Sequence, residues 1–152
     1  MRRIYLIAIA AAVVLLFLVI SAILARVFSA NSAEQSAITA LVKDEARGDP
    51  GAVTGDIAGC QASASCRDRA GQLSASLKRP GAVSVIQLQP STSFSIVGTE
   101  GTARVAWNAG GSLPIVQCIR VRRSGNAISG LKVELLVVSR RIKSDTACPA
   151  RF

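Results

Sequence analysis

The sequence predicts an α+β protein held by one N-terminal transmembrane helix, and three observations predict it. An uninterrupted apolar run, Ile4 to Ala25, carries no charged side chain and lies between Arg2-Arg3 and Arg26. Behind it the apolar residues recur at helical spacing, and further on they alternate as they do in strands. Helices followed by consecutive strands define an α+β arrangement, here helices packed on a curved antiparallel sheet.

The apolar run comes first. At a rise of about 1.5 Å per residue, roughly 22 residues reach about 33 Å, enough to cross a hydrocarbon core of about 30 Å. Arg2, Arg3 and the terminal amine outweigh Arg26, so the N-terminus is expected to stay cytoplasmic and the remainder to face outward. A cleaved signal peptide is the competing reading, with a small-x-small site at Ala30-Asn31-Ser32, but its apolar region usually stops at about 7 to 15 residues. The reading is therefore a retained single-pass anchor in the cell membrane. It divides the chain into a cytoplasmic tip and signal anchor at 1–28, a short Ser/Ala/Asn stalk at 29–32 and one extracytoplasmic domain at 33–152.

Within the domain, Ser32 and Gln35 have the S-x-x-Q spacing of a capping box, and Ile38, Leu41 and Val42 follow at helical spacing. Gly48 supplies a stop, after which Asp49-Pro50 reads as the cap and first turn of a shorter helix carrying Val53 and Ile57, ended by Gly59. Ala70, Leu73 and Leu77 mark a third helix before Pro80-Gly81.

Strands follow. Val83, Val85, Ile86 and Leu88 form one β-type run, and Phe94, Ile96 and Val97 a second, short one. In Thr102 to Ala109, Val105 and Trp107 alternate with Arg104 and Asn108, which makes Trp107 a core residue. Leu113 to Arg123 sets Ile115, Ile119 and Val121 against Val116, Cys118, Arg120 and Arg122. Leu131 to Arg140 places Leu131, Val133, Leu135 and Val137 on one face. Gly110-Gly111 and Ser124-Gly125-Asn126 are turn chemistry, so three hairpin-linked antiparallel strands are the economical topology.

Cys60, Cys66, Cys118 and Cys148 all lie beyond the anchor, and an even number in an outward domain points to two disulfides. Three pairings are open. The preferred one joins Cys60 with Cys66, closing a small helical loop, and Cys118 with Cys148, tying a late strand to a tail that could not otherwise hold itself down. A metal site is disfavoured because the chain has no histidine and no paired C-x(2 to 4)-C knuckles.

The segments Ala40-Leu41-Val42-Lys43-Asp44-Glu45-Ala46-Arg47-Gly48-Asp49-Pro50, Ala103-Arg104-Val105-Ala106-Trp107 and Leu113-Pro114-Ile115-Val116-Gln117-Cys118-Ile119-Arg120-Val121-Arg122-Arg123 carry a family resemblance. With the order of elements from Ser32 to Ile142, the chain resembles the cystatin-like, nuclear-transport-factor-two-like superfamily. The likeness is to small membrane-anchored actinobacterial proteins with one outer domain. The resemblance implies a cystatin-like sheet wrapped on helices. It transfers no catalytic residue and no cofactor.

Charge divides the domain. Up to Glu100 it is close to neutral; from Gly101 onward Arg104, Arg120, Arg122, Arg123, Lys132, Arg140, Arg141, Lys143 and Arg151 face only Glu134 and Asp145. Arg120 and Arg122 share one side of a strand, and Arg104, Lys132 and Arg140 are placed to join them, so an anion-binding surface is expected there. Its partners outside the membrane would be anionic lipid or an acidic envelope polymer. The plain alternative is a charged face that keeps the sheet soluble. Nucleic acid is not an expected partner, since only Phe94 and Trp107 offer stacking in the sheet region.

Catalysis is not expected either. Without histidine, and with the cysteines oxidised, the usual proton shuttle and thiolate are missing. Asp44, Glu45, Asp49, Asp56 and Asp68 sit on helices or caps, where acids ordinarily solvate a face, and Glu134 reads as an ion-pair partner. The superfamily's isomerases pair an acid with a tyrosine, but the only tyrosine is Tyr5, inside the anchor.

The function expected is a non-catalytic interaction or assembly domain at the cell envelope, binding a protein partner or an anionic polymer. The alternative is a module holding a small apolar or lipid-like ligand in a helix-sheet cavity. A filament subunit is a third reading. It requires one continuous helix from the membrane into the domain, against which Arg26 and the Ser29 to Ser32 stretch argue.

Overall fold

The structure, a computed structural model, describes residues 2–91, 99–126, 130–143 and 146–152, without the side chains of 2–4, 6–8, 26–28, 30, 99, 125–126 and 130–131. Helix α1 spans Arg2–Arg47 and contains neither glycine nor proline, so no residue in it breaks the hydrogen-bond ladder. The expected helix start at Ser32 is corrected here: residues 29–32 are helical and continue the same rod. Interrupting a helix orphans up to about four N–H and four C=O groups, whereas Ser and Asn cost only about 0.5 kcal/mol each in its interior. Continuation wins.

The two halves of α1 have different surroundings. From Ile9 to Leu24 its large apolar side chains stand exposed. Among the described residues, however, no helix is long and apolar enough to cross a membrane. In the second half Glu34, Ile38, Leu41, Val42 and Glu45 are all buried. They follow one another by three or four positions and so make a single stripe on the helix, turned toward the sheet.

The end of α1 is built as a Schellman motif. Gly48 adopts φ +73°, its N–H donates to the Glu45 carbonyl at 3.0 Å, and the Asp49 N–H donates to the Asp44 carbonyl at 3.1 Å. Asp49 then caps α2, Pro50–Asp56, by accepting from the Ala52 N–H at 3.0 Å. Ile57 is not helical. It leaves α2 in extended conformation and bridges to Leu135, with the Ala58 N–H on the Leu135 carbonyl at 2.8 Å. A 3₁₀ turn at Cys60–Ala62 leads to α3, Ala64–Leu77, whose Ala70, Leu73 and Leu77 are buried.

Four strands, β1 (Val83–Gln89), β2 (Thr99–Ala109), β3 (Ile115–Asn126) and β4 (Gly130–Val138), form an antiparallel sheet in the order β1-β2-β3-β4. The strand expected at Phe94, Ile96 and Val97 lies outside the described residues. Gly110 and Gly111, both at positive φ, turn β2 into β3. A Cβ on Gly110 would stand 2.5 Å from the Pro80 carbonyl oxygen, so this corner admits only glycine.

Trp107, Ile115, Ile119 and Val121 face α1 and are buried with Ile38 and Leu41. On β4 the alternation expected through Val137 slips. A register shift skips Leu136, so that Leu135 pairs with Val121 and Val138 with Ile119, and Val138 replaces Val137 in the core.

Beyond β4 the chain stays on β3. The Ser139 N–H donates to the Cys118 carbonyl and the Ile142 N–H to the Val116 carbonyl, each at 2.8 Å. Disulfides join Cys60 to Cys66 and Cys118 to Cys148. The second closes a loop with a sequence separation of 30, for which the chain-entropy argument gives about 3–4 kcal/mol of stabilisation. Replacing Cys118 and Cys148 by Ser is expected to lower denaturant stability by that amount and to expose the tail to proteolysis before global unfolding. Unchanged stability would show that the tail contributes nothing to the fold.

Candidate functional site

The cationic residues do not form one free patch. Across the outer side of β2, β3 and β4, Arg122 lies opposite Glu100 and Glu134. Its guanidinium is 2.6 Å from Glu100 Oε1 and 3.8 Å from Glu134, and Lys132 Nζ is 2.8 Å from Glu134. The Lys132 ammonium, hydrogen-bonded to Glu134, holds that carboxyl below its usual range. Such exposed pairs are screened by water and stabilise little, but they neutralise the face locally. Arg120 donates to the Ala150 carbonyl at 2.8 Å and lies 5.3 Å from the Phe152 ring centroid. Arg104, half-buried on β2, lies opposite Cys118.

Arg140 is elsewhere. It follows β4 and reaches α3, where its Nη2 is 3.4 Å from Gln72 Oε1. The sequence grouped Arg104, Arg120, Arg122, Lys132 and Arg140 from strand alternation. That alternation ends at Val138, so it does not govern Arg140.

The polar groups that organise the interior belong to α1. Glu34 is fully buried. Its carboxylate accepts from the Ser91 N–H at 2.8 Å, the Ser91 hydroxyl at 2.9 Å and Arg123 Nε at 2.7 Å, and Arg123 Nη2 also donates to Asn31 Oδ1 at 3.0 Å. Glu45, also fully buried, accepts from Gln117 Nε2 at 3.2 Å. Gln117 Oε1 accepts from the Trp107 indole N–H at 2.7 Å, and its Nε2 also donates to the Ser139 carbonyl at 3.3 Å.

Neither acid solvates a helix face, as acids on helices ordinarily do. The readable signal was their position: Glu34 and Glu45 fall on the stripe of Ile38, Leu41 and Val42. Asp49 is a cap, as its place before Pro50 indicates.

The two acids differ in charge compensation. Glu34 has a guanidinium against it, whereas Glu45 has only an amide, and its Oε2 has no partner among the described residues. Burial therefore pushes the Glu45 carboxyl up to about 8, partly opposed by the Gln117 hydrogen bond and reinforced by Asp56. Burial and the neighbouring Asp44 carboxyl also raise Asp56, to about 6. Asp44 in turn pairs with Arg47. Among the described residues no group of acids and cysteines is placed to hold a metal ion.

The space between α1 and the sheet is filled by Trp107, Ile38, Leu41, Ile115 and Ile119. The described clefts open instead on outer surfaces. One of about 550 Å³ runs along the polar side of α1, past Gln35, Thr39 and Lys43. Another, of about 400 Å³, lies between α3 and the residues after β4. No protein-family model, curated protein or solved structure matches the chain.

Two outcomes are expected from the buried acids. The folded state keeps the Glu45 proton up to about pH 8, while the unfolded chain releases it near 4.5. The unfolded chain thus binds fewer protons between these values, and stability should fall as pH rises through that window. Glu45→Gln should remove most of this slope, leaving the share that Asp56 contributes below about pH 6, and should make the variant more stable than the parent at pH 8 by on the order of a few kcal/mol. Equal pH dependence in denaturant titrations would contradict the placement. Separately, Arg123→Ala should cost about 3–5 kcal/mol by stranding a buried carboxylate, and adding Glu34→Gln should recover part of that loss. Additive losses would mean that the pair is not coupled.

Proposed function

We propose that the protein is a membrane-anchored, extracytoplasmic, non-catalytic interaction or assembly domain of the cell envelope. One observation carries the reading: the helix whose second half is the spine of the domain is the same unbroken helix whose first half presents exposed apolar side chains. The uncharged sequence run Ile4 to Ala25 has the length of a bilayer span, and its basic flank at Arg2-Arg3 supports a cytoplasmic N-terminus. The filled interface between α1 and the sheet supports assembly over the alternative of a lipid-like ligand held in a cavity there.

The unbroken helix is also the feature that a filament subunit requires, with apolar halves bundled in the filament core. Electron microscopy of material sheared from the cell surface separates the two readings: fibres favour the filament, and their absence the single anchored domain.

The full chain should sediment with membranes and stay there through alkaline carbonate, which strips peripheral proteins. Release into the supernatant would overturn the anchor. With the chain inserted, a protease added from outside should cut the domain and spare the N-terminus; the opposite pattern would reverse the topology.

A further inference from the structure

We infer that the cleft between α3 and the segment following β4 binds a phosphate-bearing polyanion. Arg69, Arg79, Arg140 and Arg141 line this space of about 400 Å³ together with Gln72 and Ser76. A second cleft, of about 310 Å³, shares Arg69, Arg140 and Arg141 and continues past Ser139 to Phe152. None of the four arginines is a member of the ion pairs found among the described residues. This is the reverse of the outer sheet face, where Arg122 and Lys132 already have carboxylates.

Neutral oxygens orient three of these guanidiniums without discharging them. Arg79 Nη1 donates to the Lys78 carbonyl at 2.7 Å and the Ser76 carbonyl at 3.2 Å; Arg141 Nη2 donates to the Pro114 carbonyl at 3.3 Å; Arg140 Nη2 reaches Gln72 Oε1 at 3.4 Å. Each guanidinium has five N–H donors, so these contacts leave much of every fork open. Arginine stays charged at any ordinary pH, and its planar fork matches an oxyanion in bidentate fashion. Four such charges in one cleft repel one another until an anion enters. A carboxylate brings one negative charge, whereas a phosphate monoester brings about −1.5 to −2 and three strong acceptor oxygens, so phosphate fits the compact space better.

The position of the cleft restricts the source of the ligand. The Arg79 N–H donates to the Ala46 carbonyl at the last turn of α1, and Pro114 adjoins the β2–β3 turn at the same end of the sheet. From Arg26 to that last turn an α-helix rises about 30 Å. On the anchored reading, the headgroups of the protein's own membrane are therefore out of reach, and the ligand is a soluble or polymeric phosphate of the envelope. Only this assignment of source rests on that reading.

The test uses the full chain in neutral-lipid nanodiscs and inorganic tripolyphosphate as the probe, followed by titration calorimetry at two salt concentrations. The parent protein should bind, more weakly at the higher salt. Arg140→Ala with Arg141→Ala, or Arg69→Gln alone should that pair not fold, should weaken binding at least about tenfold, and Arg122→Ala should leave it unchanged. No binding, or binding that survives loss of the cleft arginines, overturns the site. Equal affinity for polyglutamate of matched charge overturns the phosphate assignment. Repeating the titration in anionic nanodiscs tests the source: unchanged affinity supports a ligand from outside the bilayer, and competition by the lipid overturns it. The same titration repeated on the protein in neutral detergent reads the cleft whether or not the chain is an anchor, so its failure is distinct from failure of the carbonate test.

Discussion

The rest of the structure depends on how α1 meets the sheet, and two buried carboxylates set that meeting. Glu34 and Glu45 stand on one stripe of the helix with Ile38 and Leu41 between them, so the apolar contact is closed at each end by a polar one. Apolar side chains alone would tolerate sliding, because one Leu or Ile packs much like the next. A carboxylate that must find Ser91 and Arg123, or Gln117, admits a single position. The compensation is unequal. Arg123 sets a guanidinium against Glu34 in the interior, while Glu45, met only by an amide, prefers to hold its proton.

Most of the architecture was legible because it follows short-range rules. Gly48 had to take the left-handed position, Asp49 had to cap, Pro50 had to begin a helix, and Val105-x-Trp107 had to face inward. Three features were not legible, each for a physical reason. The break expected at Ser32 rested on a capping pattern that also occurs harmlessly inside helices, and only the absence of glycine and proline over 46 residues argued otherwise. Val138 entered the core through a register shift, which periodicity cannot register. The burial of Glu34 and Glu45 depended on partners 57 to 89 residues away.

The distribution of positive charge changes its meaning once the chain is folded. Counting along the sequence, the surplus belongs to the sheet half, and strand alternation assigns it to the outer face. In space that face contains its own acids, Glu100 and Glu134, brought opposite Arg122 by pairing. Among the described residues, arginines outside the ion pairs gather instead where α3, nearly neutral by composition, meets Arg140 and Arg141. Arg69 and Arg79 had no reason to be grouped with them until α3, packed on α1 and α2, came to lie beside the chain after β4. A basic surface is thus a property of tertiary contact, and a sequence count locates the half of the chain but not the patch.

The interval between the two buried acids has an evolutionary consequence. Eleven residues turn an α-helix by about 1,100°, only about 20° beyond three full turns. Inserting or deleting one residue between Glu34 and Glu45 would swing one of them about 100° away from the sheet, leaving a carboxylate without its partners. That stretch of α1 is closed to changes in length. Upstream of Asn31 no hydrogen bond or ion pair among the described residues ties α1 to the sheet. On the anchored reading proposed above, the apolar half is open to changes in length that match it to bilayers of different thickness while the folded part stays the same.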